Sequence, residues 1–477
     1  MARRTKIIAT IGPRSDSEGM IKDLAEAGMD VARIGLAHGS LDEAIEKFRR
    51  VRRVEAALGR PIGVLVDLPG PKVRVGTLPE GGLAVTQGDV LKLAPGAEPS
   101  TREVVTVDHE GLLHDLHVGD RVTFGDGIVM AEVQDRTDTH LVARITHGGL
   151  LQGRPGVHIP SDRLRIASPT PDDLHMLDAF IEEGIDMVAL SFVRSAHDVR
   201  RVGVEPHPRG PLVVAKIETR AAVDNLDSII EASGAVMIAR GDLGAEMPIE
   251  ELPHLQKRIL QRCITLGRPA ITATQMLESM VTAPSPTRAE ASDIANAVFD
   301  GSSALMLSGE SAIGHDPINA VATMARIAAR ADDEFDYDAW GNKVHEIATT
   351  LEPHLDDTVT LGMTNAAWRA ALETGASAII CITHTGYTVR SIARFRPEAK
   401  ILGFSTDPQT LRQLTLSWGA TPMRLDVDYH SDNVTSHAVE QARTAGLVRR
   451  GDLVAVLSGS REYPGQATDS LRLVPIR

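Results

Sequence analysis

Short β-branched or apolar runs recur along the chain, and a stretch with helical spacing of apolar positions follows each one. The first eight runs are KIIATIG (6–12), DVARIGLAH (30–38), IGVLVDLP (62–69), DMVALSFV (186–193), LVVAKIE (212–218), AVMIARGDL (235–243), PAITATQML (269–277) and ALMLSGES (304–311). Helix-like segments such as SEGMIKDLAEAGM and ELPHLQKRILQRCITLG separate them. Eight parallel strands with crossover helices can close into a (β/α)8 barrel, whose chemistry sits at the C-terminal ends of the strands. Here those ends read RIGLAH, DLPG, SFVR, KIE, RGDLG, TQMLES and SGES, and polar and charged residues concentrate in them.

The third and fourth runs are separated by a segment of different character. From Val73 to Ser168 the chain alternates Val, Leu and Thr with turn pairs such as EGG, GD and DG. That pattern predicts short strands joined by tight turns. It reads as an all-β cap inserted above the active face, able to close over a substrate and exclude water. A second α/β pattern begins near residue 345, with strands expected at 378–385, 400–406, 421–427, 452–459 and 471–476. This predicts an open doubly wound sheet. The expected domains are residues 1–72 with 169–340 (barrel), 73–168 (cap) and 345–477 (C-terminal α/β).

Composition narrows the class. Aromatic residues make up 3% of the 477, so the cores rest on Val, Ile, Leu and Ala, which suits parallel sheets covered by helices. The 64 acidic residues outnumber 50 Lys plus Arg, which disfavours nonspecific binding to nucleic acid or anionic membranes. A phosphorylated substrate would then need a local cationic pocket. Cys263 and Cys381 lie far apart without metal-ligand spacing, and no apolar run reaches signal or membrane-span length. The expectation is a cytoplasmic protein.

Lys216 and Glu218 are two apart on a strand, so both face one side. Such a pair alone is more often a structural ion pair, but Arg33 and Asp242 at other strand ends reverse that judgement. Glu218 and Asp242 together could hold one Mg2+ or Mn2+, since magnesium takes one or two carboxylates plus phosphate oxygens. Lys216 and Arg33 would then face a phosphoryl group, whose charge spreads over three oxygens and is stabilised by clamping cations. The glycines of RGDLGAE could offer N–H groups to a carboxylate, or form a plain turn. Thr274 could bind substrate or relay a proton through water, or simply suit a strand.

TKIIATIGP, AKIETRAAV, MIARGDLGAEMP, ATQMLESM, PTRAEASDIANAVFDGSSALMLSGESA and SFVRSAHDV resemble the signatures of pyruvate kinases, in that family's order and across essentially the whole chain. The resemblance implies transfer of a phosphoryl group between phosphoenolpyruvate and ADP, giving pyruvate and ATP. By likeness Lys216 bridges the transferring group, Arg33 binds phosphate, and Glu218 and Asp242 hold the divalent ion. Gly241, Asp242 and Thr274 resemble the cradle for the substrate carboxylate, and Arg74 and His38 the nucleotide-side contacts. A homotetramer is implied in the same way.

The sequence departs from the family where a monovalent cation is usually held. Gly35-Leu36-Ala37-His38 stands in place of Asn-Phe-Ser-His, and Leu68 and Lys72 replace a hydroxyl residue and a Glu. Lysine at 72 resembles the potassium-independent branch, with an ammonium as substitute for the ion. In the cap, Pro155 replaces a lysine before Gly156, and Arg154 could take over its nucleotide contact. Thr383, Thr385, Gly386 and Thr388 resemble the family's effector loop for a sugar phosphate, and AMP is a second candidate. Ser458, Ser460 and Gly465 could form its other wall. Two further readings stay open: a paralogue with another phosphoryl acceptor or a weak regulatory role, and a Mg-dependent barrel lyase acting on pyruvate.

Overall fold

A computed structural model describes the chain from residue 3 to 477, apart from residues 126, 162, 164–165, 203–209, 349–354, 430 and 460–467 and the side chains of 348 and 355–357. The eight expected runs all contain strands: Lys6–Thr10, Val31–Gly35, Gly63–Asp67, Met187–Leu190, Leu212–Ile217, Ala235–Ala239, Ala270–Ala273 and Ala304–Leu307. They pair in parallel, each with its neighbour in this order, and the first closes on the eighth. Each strand stops short of its apolar run, and the leftover residues form the loops at the C-terminal face. Asp242 is the clearest case. It was expected at a strand end, yet Arg240–Glu246 coils into a short helix and Asp242 lies in its first turn.

Sequence signals position the outer helices. Ser40 and Glu43 form a reciprocal capping box at Leu41–Leu58, and Thr287 and Glu290 do the same at Arg288–Phe299. Thr170, Pro171 and Asp173 start Pro171–Glu182. Two apolar layers result. Ile7, Ile34, Val64 and Val66 pack outward against the helices, while Ile8, Val31, Leu65, Val214 and Met237 fill the barrel interior. Leu416, from beyond the barrel, belongs to that inner cluster and plugs its lower end.

The inserted segment folds as a six-stranded sheet of largely antiparallel pairs and a two-stranded ribbon, Gly149–Leu151 with Leu83–Val85, over its own core. It is not purely β, because Leu112–Asp115 makes one helical turn held by a 2.8 Å bond between His109 and Asp115. The C-terminal sheet orders its five strands 3-2-1-4-5, with Thr468–Pro475 antiparallel at one edge. Its chain order reverses next to Ala378–Ile382, the switch point at which such sheets bind ligands. Among the described residues no helix is long and apolar enough to cross a membrane.

Candidate active site

Strand alternation builds the site. Ile8, Val31, Leu65, Ala189 and Val214 point into the barrel interior. Two residues further on, the same side carries Thr10, Arg33, Asp67, Ser191 and Lys216. The apolar floor therefore gives way to charged and hydroxyl groups at the C-terminal mouth.

These groups are in direct contact. Arg33 Nε and Nη2 lie 2.8 and 2.7 Å from Asp67 Oδ2, and Nη1 donates to Thr10 Oγ1 at 3.0 Å. Lys216 Nζ lies 3.5 Å from Asp67 Oδ1 and 3.2 Å from Glu218 Oε2, and donates to Ser191 Oγ at 2.6 Å. Asp67 is 4% exposed, so it joins both cations out of contact with bulk water. Burial alone would raise its carboxyl pKa, but Lys216 and Arg33 outweigh burial and hold it below the usual range. Burial likewise pulls Lys216 down, and Asp67, Glu218 and Asp242 more than reverse this, so it stays an ammonium.

Glu218 is fully buried. Its Oε1 accepts the Phe192 N–H at 2.5 Å, while Oε2 faces the Lys216 ammonium at 3.2 Å and accepts no aligned hydrogen bond from the described residues. Burial, opposed by Lys216 and reinforced by Asp242, pushes the carboxyl up to about 7. A buried carboxylate whose outer oxygen has only an ion-pair contact, next to a second carboxylate that raises its pKa, suits a further cation. No cluster of three or more His, Cys, Asp or Glu suited to a metal occurs among the described residues. The chain would thus supply two carboxylates and leave the other positions to water and substrate, as magnesium prefers.

Thr274 and Gly241 also meet: Thr274 Oγ1 accepts the Gly241 N–H at 2.9 Å. Thr274 and Gln275 have φ of 68° and 53°, a left-handed backbone that costs a β-branched residue on the order of 1–3 kcal/mol. Arg240 holds them there, donating to the carbonyls of Ala273 at 3.2 Å and Thr274 at 2.7 Å while pairing with Asp293 at 2.8 Å.

His38, Lys72 and Arg74 form a basic group on the cap side. Burial, then Lys72 and Arg74, lowers the His38 pKa. Burial, then Arg74 and Lys216, lowers that of Lys72, with Asp242 and Asp67 opposing. Leu36 and Leu68 bury into the barrel's outer core. Arg154 points elsewhere: its guanidinium lies 3.4 Å from both Asp108 Oδ2 and the Val75 carbonyl, and only its main-chain carbonyl meets Arg74.

In the C-terminal turn, Thr383 Oγ1 accepts the Gly386 N–H and Thr385 Oγ1 the Tyr387 N–H, at 2.9 and 3.3 Å. Thr388 meets Thr468 at 2.6 Å between hydroxyls. These hydroxyls thus already serve the turn that opens the helix Tyr387–Ala393. Ser460 and Gly465 lie outside the described residues.

The family model for the pyruvate kinase barrel domain matches residues 2–321, and that for the pyruvate kinase alpha/beta domain matches residues 362–474. The chain belongs to the pyruvate kinase family. It is 37% identical over 475 residues to a pyruvate kinase of Clostridium acetobutylicum, covering 99% of each chain. With a pyruvate kinase of Mycobacterium tuberculosis it shares 37% identity over 464 residues, or 96% of each. A solved pyruvate kinase from Cryptosporidium parvum superposes with a TM-score of 0.89 at 31% identity, covering 100% of this chain and 96% of that one. Membership makes the chain a phosphotransferase that works with a divalent metal.

Sequence reasoning passed over Asp67, Ser191 and Arg240. The first two were detectable, because each follows an inward apolar residue by two positions. Arg240 gave no such signal, since its partners come from another loop.

Proposed function

We propose that the chain transfers the phosphoryl group of phosphoenolpyruvate to ADP, giving pyruvate and ATP. The convergence of Arg33 and Lys216 on Asp67, beside Glu218 and Asp242, carries this reading. Two fixed cations at one mouth stabilise the three phosphoryl oxygens where charge spreads during transfer. Mg2+ or Mn2+ on Glu218 and Asp242 would supply further neutralising charge. Gly241, Asp242 and Thr274 would orient the substrate carboxylate. The P–O bond to the enol oxygen breaks as a bond to the ADP oxygen forms. The enolate left behind then takes one proton at carbon, through water near Thr274, to give pyruvate.

His38 and Arg74 are the proposed nucleotide contacts, with Arg154 available once its exposed pair with Asp108 parts, a pair worth ~1 kcal/mol or less. That pairing also favours a second reading, a different diphosphate as acceptor. Potassium independence rests on Gly35, Ala37 and buried Leu68, which offer no side-chain oxygen, and on Lys72 in the field of Asp67 and Asp242. The domain limits, the homotetramer, the cytoplasmic location and a phosphorylated effector at Thr383, Thr385, Gly386 and Thr388 belong to the same proposal. The effector's support is the position of that turn at the sheet's switch point.

A dehydrogenase-linked assay of pyruvate formation tests it, with ADP, GDP and other nucleoside diphosphates offered in turn. Pyruvate is expected only with a diphosphate and a divalent metal. Pyruvate release without an acceptor would contradict the assignment.

A further inference from the structure

Below the barrel, at its junction with the C-terminal domain, lies a cavity of about 20 Å³, room for one water-sized or halide-sized occupant. Arg268, Arg390, Arg394 and Arg396 all line it, and among the described residues no carboxylate does. Arg390, Arg394 and Arg396 are 5%, 7% and 1% exposed.

Their hydrogen bonds fall short of their donors. Arg396 is satisfied: it donates to the carbonyls of Val298 and Ser302 and is ringed by Phe335, Trp340 and Trp418. Among the described residues Arg390 donates through Nη2 alone, to the Thr385 carbonyl at 3.1 Å, and Arg394 through Nη1 alone, to that of Thr265 at 3.3 Å. Twelve buried side-chain polar atoms among the described residues have no partner. Six belong to this lining: Arg268 Nε, Arg390 Nη1, Arg394 Nε and Nη2, Ser417 Oγ and Trp418 Nε1. All six carry a hydrogen to give, so the deficit is one of acceptors.

A neutral water satisfies two such donors at most and leaves the charge untouched. Guanidinium keeps its proton in proteins, and a buried, unpaired cation is costly. Asp332, whose charge acts on Arg396, is already engaged by the N–H groups of Arg4 and Thr5 and by the Thr5 hydroxyl. Burial draws Arg390 and Arg394 down to about 10, which leaves both charged at neutral pH.

We infer that this cavity binds one small inorganic anion of halide size, held by Arg390 and Arg394. The site lies at the N-terminal end of the barrel strands, away from the active mouth, and touches the Thr383–Thr388 turn through Arg390. It would join two bodies at their seam. Arg268 precedes the seventh barrel strand, Ser417 and Trp418 follow the Leu416 plug, and Arg390 grips the carbonyl of Thr385. An anion there would stiffen the junction between barrel and C-terminal sheet.

Crystals of the full chain grown in bromide test it directly. An anomalous peak is expected in the cavity, within hydrogen-bond reach of both guanidinium groups. In solution, replacing gluconate by bromide at constant ionic strength should raise Tm in a saturable way, by mass action. Arg394→Met should abolish that rise, and Ser417→Ala, a milder change, should shift it to higher bromide concentration. An empty or water-filled cavity would overturn the inference. So would a parallel response of wild type and Arg394→Met, or a saturable rise with phosphate and none with bromide.

Discussion

Arg33 directs two nitrogens at a single oxygen of Asp67, at 2.8 and 2.7 Å, and the other oxygen of that carboxylate faces Lys216. One buried acid therefore aligns both cations of the site before substrate arrives. Such preorganisation is where much of an enzyme's electrostatic stabilisation lies.

Replacing Asp67 by Asn keeps the shape and removes the charge. Both cations then lose their shared anchor and repel each other. Turnover should fall on the order of 10²-fold to 10³-fold, with some loss of thermal stability because a buried pair is broken. Steady-state kinetics beside a melting curve checks both, and a variant with wild-type turnover would show that Asp67 is not the anchor.

Potassium should make no difference to the wild type. Rates in potassium and in tetramethylammonium buffers should agree, while Lys72→Glu should lose activity in tetramethylammonium. A large potassium stimulation of the wild type would mean that the Lys72 ammonium does not stand in for the ion.

The cap is fastened to the barrel through Glu246. Its oxygens accept from the Ser161 N–H and hydroxyl at 2.7 Å each and from the Arg220 N–H at 2.8 Å, with His158 Nε2 at 3.2 Å. Burial pushes this carboxyl up, but the His158 ring, the Arg220 N–H and Ser161 together bring it below its ordinary 4.5. The folded form thus binds fewer protons than the unfolded chain between those two pKa values. Its contribution is complete above pH 4.5 and is lost as pH falls through the depressed value. Melting curves across that range should show the loss in wild type and a flatter profile in Glu246→Gln. Identical slopes would remove Glu246 as the cause.

Much of this was legible in the sequence. The eight strands were readable because Val, Ile, Ala and Leu runs alternate with amphipathic stretches, and Lys216 and Glu218 do face one another at 3.2 Å, although Glu218 stands just past the strand's end. Asp242 was assigned to the right mouth but the wrong element, because a helix of 7 residues is too short to be told from a loop by periodicity. Thr274 was found as a hydroxyl, while its left-handed backbone depends on Arg240, 34 residues away in sequence. The Arg154–Asp108 pair was hidden for the same reason: it joins two bends of the cap that are 46 residues apart in sequence.

Removing the ammonium of Lys216 tests the central claim most directly. With phosphoenolpyruvate, ADP and Mg2+, Lys216→Met should form pyruvate on the order of 10³-fold or more slowly than wild type, as expected when a cationic clamp on a migrating phosphoryl group is lost. Its melting temperature should stay close enough to that of wild type to prove it folded. A folded Lys216→Met protein turning over at the wild-type rate would contradict the account.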